Sequence, residues 1–156
     1  MGEPVISIDD FLVFCRRTTT AMVAVADRLG DDLVNRHPEL PGANTPYQLV
    51  NHAVGAVRWW CSHVVLGHPS DRVRADEFVA RGTVGELHTA VAELLATLEV
   101  LAPELAGATR LAGPATTETP LEGEWTVGAA LLHAYEELAQ HLGHLEVTAD
   151  VLLAGG

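Results

Sequence analysis

Eight histidines are many for a chain of 156 residues, and three of them crowd toward its C-terminal end. His133, Glu137, His141 and His144 follow one another at spacings of four, four and three. On a helix turning about 100° per residue they share an arc of about 80° on one face. Glu137 and His141 stand one turn apart, roughly 6 Å along the axis, so a carboxylate and an imidazole can converge on one divalent ion. Such an ion needs a third donor from another helix, and His52, on the core side of an earlier apolar segment, is the best candidate. His63 falls on nearly the same face about 16 Å further along, so it and His52 cannot both be ligands. The plainer reading stays open at this level. A Glu and a His one turn apart often form only a local pair, and a His on an apolar face is often a satisfied core residue.

Other reactive side chains carry less. Trp59 and Trp60 could form a stacking platform for a ligand, although aromatics at core spacing usually pack. Arg58 beside them reads as solvated. Cys15 and Cys61 sit in apolar helical patterns with no base beside them, which predicts buried thiols rather than a disulfide or a nucleophile. His144, one turn past His141, could serve as a general base or orient a ligand.

The elements that must position these groups are helices. Ile8, Phe11, Leu12, Cys15, Met22, Val25 and Leu29 form one stripe, with Gly30 expected to stop the helix. Thr45, Pro46 and Gln48 make the start signal of a second helix running through Leu66 and ending at Gly67. Thr83 and Glu86 repeat that signal ahead of Leu87, Val91, Leu94, Leu98 and Leu101, and Pro103 is expected just beyond the end. The segment from Pro103 to Glu124 reads as a mostly irregular connection, of the length that often serves as a lid or a crossover. Thr126 caps a last helix reaching about Leu152. Four long helices and few strand signals predict an all-α four-helix bundle, one domain over 1–156, whose long connections permit a crossover topology.

Composition narrows the function classes. Nine basic against 21 acidic residues give a net charge of −12, and every basic residue is Arg. A surface this negative repels phosphate backbones, so no nucleic-acid partner is expected. No apolar run reaches the roughly 18–20 residues that cross a bilayer, and Met1-Gly2-Glu3-Pro4 does not open a signal peptide, so no membrane partner and a cytoplasmic location are expected. The absence of Lys, with abundant Ala, Gly, Val and Leu, has the look of a GC-rich bacterial genome.

Two segments also carry a family resemblance. Asn51 through Trp60, NHAVGAVRWW, resembles the second helix of the DinB superfamily, in the branch common in actinobacteria. Trp125 through Glu146, WTVGAALLHAYEELAQHLGHLE, resembles that branch's last helix, with its H-x-x-E-E-x-x-x-H-x-G-H pattern. The resemblance implies a four-helix bundle holding a divalent metal (zinc foremost, nickel or iron as others) through His52, Glu137 and His141. Many relatives have His in place of the glutamate, and the E-x-x-x-H form is closer to the bundle domain of mycothiol-dependent maleylpyruvate isomerase, whose additional C-terminal domain this chain is too short to contain. What the resemblance implies is a metal-dependent thiol enzyme of S-transferase kind. Mycothiol or a similar thiol, acidified by coordination, would attack an electrophilic small-molecule substrate. Trp59 would border the cofactor, and His144 would act as the base. A homodimer is expected, because relatives often pair through a helix face. Alternatives are a non-catalytic metal- or ligand-binding bundle, a biosynthetic enzyme without thiol dependence, and oxygen chemistry on a two-His, one-carboxylate iron site.

Overall fold

The structure is a computed structural model, and it describes residues 6–113 and 125–155. It is all-α. Helix α1 spans Ile8–Val34, α2 Pro46–Arg58, α3 Arg74–Glu77, α4 Val84–Gly107 and α5 Val127–Leu153. Trp59–Val65 continues α2 as a π-helical stretch. The sequence places the helix starts well, because each is written in side-chain caps. Thr45 and Thr83 close capping boxes with Gln48 and Glu86, Pro46 takes the first position of α2, and Thr126 caps α5.

Two stop signals act otherwise than expected. Gly30 does not end α1 but bends it, with φ 67° and ψ 176° inside a helix that resumes to Val34. The resumed turn has work to do. Val34 is fully buried, Asp31 Oδ1 accepts from Val84 N–H at 2.7 Å, and the Asn35 amide bonds both backbone groups of Gly82. These contacts hold the start of α4. Pro103 likewise lies inside α4 rather than beyond it, since Leu105, buried one turn past Leu101, extends the apolar stripe to Gly107. Burial of that last turn outweighs the hydrogen bond Pro103 cannot donate. Of the rest of the expected irregular connection, 108–113 is irregular as expected and 114–124 lies outside the described residues.

Around the bundle α1 packs on α4 and α5, and α2 packs on the same two helices from the other side. Helices α4 and α5, consecutive in the chain, share no close backbone contact among the described residues and so sit diagonally. This is the crossover arrangement that a long α4–α5 connection permits. Met22, Leu49, Leu87, Leu94, Leu98, Leu138 and Leu145 fill the centre, fully buried. Cys15 and Cys61 are free, buried thiols, as their setting predicted, and burial pushes the Cys15 pKa up to about 12.

The π-helical stretch ends at Leu66, followed by Gly67 at φ +74°. Its last carbonyls turn outward to the chain after α4: Val64 accepts from Gly113 N–H and Val65 from Ala112 N–H, both at 3.0 Å. Backbone passes so close there that a Cβ on Gly113 would collide with the His63 carbonyl.

Candidate metal centre

Helices α2 and α5 are packed neighbours, and their facing sides bring His52, Glu137 and His141 together. One donor atom from each lies within 4.8 Å of the other two. Glu137 Oε2 is the hub, 3.3 Å from His52 Nε2 and 3.4 Å from His141 Nε2. Those spacings are too long for charge-assisted hydrogen bonds, which run about 2.7–2.9 Å. These two edges of the donor triangle match instead the edge of a tetrahedron whose corners lie about 2.0–2.1 Å from its centre, roughly 3.3–3.4 Å, as zinc takes with nitrogen and oxygen donors. The donor set fits a divalent metal in its chemistry, and its three donor atoms gather within 4.8 Å of one another. Two neutral imidazoles and one carboxylate leave about +1 with a divalent ion, which favours an anionic fourth ligand.

Exposure decides where such a ligand enters. The His52 side chain is 5% exposed, whereas those of Glu137 and His141 are 24% and 21% exposed. The cluster is closed on the α2 side and open along α5. A larger apolar cavity of about 740 Å³, between the start of α1, the end of α4 and the start of α5, shares no residue with the cluster. Its ionisable lining side chains are Asp10 and Tyr135, with no imidazole or thiol among them, so the cluster and not the cavity is the candidate centre.

The charges are mutually set. The His141 ring, then that of His52, hold the Glu137 carboxyl well below the usual carboxylate range, against the opposing effect of burial. Burial opposes charge on His52, yet the carboxylates of Glu137 and Glu77 outweigh it and raise its pKa above the ordinary histidine value. Opposite pH dependences follow for metal-free and metal-loaded protein. A depressed carboxylate contributes stability above its unfolded pKa of about 4.3, lost as pH falls through the folded value. A raised histidine contributes below about 6.5, lost as pH rises through its folded value. Metal-free protein therefore gains most from this cluster between about pH 4.3 and 6.5, whereas metal binding requires neutral imidazoles and strengthens as pH rises. Thermal melts from pH 5 to 8, with zinc and with chelator, should show the gap between the two curves widening with pH. A gap independent of pH would contradict histidine ligation.

The remaining expected site residues fall outside the three-donor set. His144 is exposed, its ring stacked 6.3 Å from that of His141. Trp59 is half-buried, edge-on to Trp60 at 5.3 Å, with the Arg72 guanidinium 5.8 Å over its ring. His63 is occupied elsewhere: its Nδ1 bonds the His68 carbonyl at 2.7 Å and its ring lies against Trp59. His133 flanks the cluster, its Nε2 3.5 Å from Glu137 Oε1 and its ring edge-on to Trp60.

Sequence reasoning missed Glu77. It is buried at the end of α3, in a connection with no helical periodicity, and its Oε2 meets His52 Nδ1 at 2.6 Å. Arg72 binds the same carboxylate with two guanidinium nitrogens. No spacing rule links residues 25 apart through an irregular connection. The only local trace is an acidic side chain among arginines in RVRADEF, which would equally suit solvent.

The match to known families agrees with this geometry. No curated protein and no solved structure matches the chain. The DinB superfamily matches over residues 15–145, a stretch that holds all three donors and most of the bundle. The chain belongs to the DinB superfamily.

Proposed function

We propose that the protein is a metal-dependent thiol enzyme of S-transferase kind. In this reading it joins a low-molecular-weight thiol, mycothiol or one like it, to an electrophilic small molecule. The observation that carries this is the His52–Glu137–His141 cluster, closed on one side and open on the other, whose three donor atoms gather within 4.8 Å of one another. A divalent metal held there, zinc foremost and nickel or iron as others, would supply Lewis acidity that lowers the pKa of a coordinating thiol. His52 and His141 donate through Nε2, and Glu137 through Oε2, so that all three protein donors come from two rigid helices. His144, exposed beside His141, takes the thiol proton and passes it to solvent. Trp59 offers a half-buried ring against which a thiol cofactor can rest. The protein thiols take no part, because Cys15 and Cys61 are buried and their pKa values raised.

The test is direct. Zinc-loaded protein, mycothiol and an activated aryl halide should form thioether and release halide faster than the same mixture without protein. The S–H proton leaves, the S–C bond forms and the C–halogen bond breaks. Chelator should remove the excess rate. A rate equal to the uncatalysed one, with metal bound, would leave a metal-binding bundle without this activity.

A further inference from the structure

His52 is the most constrained of the three donors. Its Nδ1 lies 2.6 Å from Glu77 Oε2, and the Phe78 ring packs against it with centroids 4.8 Å apart. Glu77 is itself clamped, with Arg72 Nε 2.5 Å from Oε1 and Arg72 Nη2 2.9 Å from Oε2. A carboxylate engaged this way has no proton to give. The short bond therefore places the imidazole proton on Nδ1 and leaves the Nε2 lone pair facing Glu137 Oε2. An imidazole protonated on Nε2 could not donate to an ion there.

The surrounding chain is built to press this clamp onto α2. Gly55, one turn past His52, leaves the space the carboxylate fills, since a Cβ there would stand 2.6 Å from Glu77 Oε1. Arg72 also lies over the Trp59 ring, and the Arg74 guanidinium lies 5.3 Å over Phe78. The second imidazole has no such support: His141 Nδ1 is buried and has no hydrogen-bond partner among the described residues.

We propose that Glu77, held by Arg72, is a positioning residue that locks His52 in its Nδ1–H tautomer and thereby sets the affinity of the three-donor cluster for its metal. This rests on the metal-site reading above. Metal-ligating histidines commonly donate their other ring N–H to a carboxylate, and losing that partner typically costs 10–100-fold in affinity.

The test is Glu77→Gln. An amide offers one acceptor where the carboxylate offers two, and three donors face it, so its NH₂ must oppose a donor whichever way it turns. Turned to Nδ1, it forces the ring proton onto Nε2. Zinc affinity, measured by competition with a chromophoric chelator, should fall 10–100-fold. Nitrogen-15 spectra of metal-free protein at alkaline pH should show the wild-type His52 ring as Nδ1–H and the variant shifted toward Nε2–H. Gly55→Ala, which displaces the carboxylate but keeps its charge, should move both readouts the same way. Glu136→Gln, on the exposed face beside His133, should move neither. If Glu77→Gln binds zinc within threefold of wild type and keeps the Nδ1–H tautomer, the proposal is overturned and the metal site stands. A wild type that binds no zinc overturns the metal reading instead, and the wild-type titration alone reveals it.

Discussion

His141→Ala is expected to leave the protein without stoichiometric metal. Wild type reconstituted with zinc and passed through a desalting column should retain about one ion per chain, and the variant well under a tenth of that. The reason is geometric. Removing His141 Nε2 leaves His52 and Glu137 on separate helices, with one of the two short edges of the donor triangle gone. Chelation by two donors from different elements is weak, and Glu137 loses the neighbour that most lowers its pKa. His52→Ala should do the same, with the added cost of leaving the buried Glu77 to Arg72 alone. Glu137→Gln should empty the site with least disturbance to packing, because the amide keeps the shape and loses the charge. His63→Ala is the control. Its ring is engaged by the His68 carbonyl and Trp59, and metal content should not change. Elemental analysis of the four variants checks this set. Retention of metal by both His52→Ala and His141→Ala would refute the assignment.

Bound metal should also raise the melting temperature by several degrees. An ion present at a hundredfold its dissociation constant stabilises the folded state by about 2.7 kcal/mol. For a domain of this size each kcal/mol shifts the midpoint by roughly 2–4 °C, so zinc against chelator should separate the melts by about 5–11 °C. His141→Ala should show no separation, while its melt in chelator stays near that of wild type in chelator. The buried apolar stripes centred on Leu49, Leu94 and Leu138 drive folding whether or not the ion is bound. A wild-type melt indifferent to chelator would mean the cluster is only a set of paired side chains.

How much of this could be read from residues alone depends on the range over which each signal acts. Helix starts are local, because Thr45 and Gln48 or Thr83 and Glu86 satisfy one another across three residues. The α5 donors were legible for the same reason, since Glu137 and His141 meet across one turn. Helix ends were legible only in part: Gly67, at φ +74°, stands where the second helix was expected to stop, and α5 ends at Leu153 beside the expected Leu152. Gly30 and Pro103 obey local rules for stopping a helix, and both are overruled by what lies beyond them, the docking of Asp31, Val34 and Asn35 and the burial of Leu105. The π-helical register of Trp59–Val65 has no composition of its own. Its carbonyls are satisfied by Ala112 and Gly113, residues nearly fifty positions away. Glu77 was out of reach on the same ground. Its role comes from where α3 lands on α2, in the room that Gly55 leaves for its carboxylate. Of the three donors, His52 was preferred over His63 for its place on the core side of the second helix, and the fold separates the two histidines by their partners.

The most direct measurement is X-ray absorption at the zinc edge on the reconstituted protein, before and after addition of a low-molecular-weight thiol. Without thiol, two imidazole nitrogens and oxygen scatterers are expected at about 2.0–2.2 Å, with no sulfur. With thiol, one sulfur should appear at about 2.3 Å beside the same two imidazoles. A first shell containing sulfur before thiol is added would place the ion on Cys15 or Cys61. A shell with fewer than two imidazoles would contradict ligation by His52 and His141, and a protein that takes up no zinc would contradict the centre altogether.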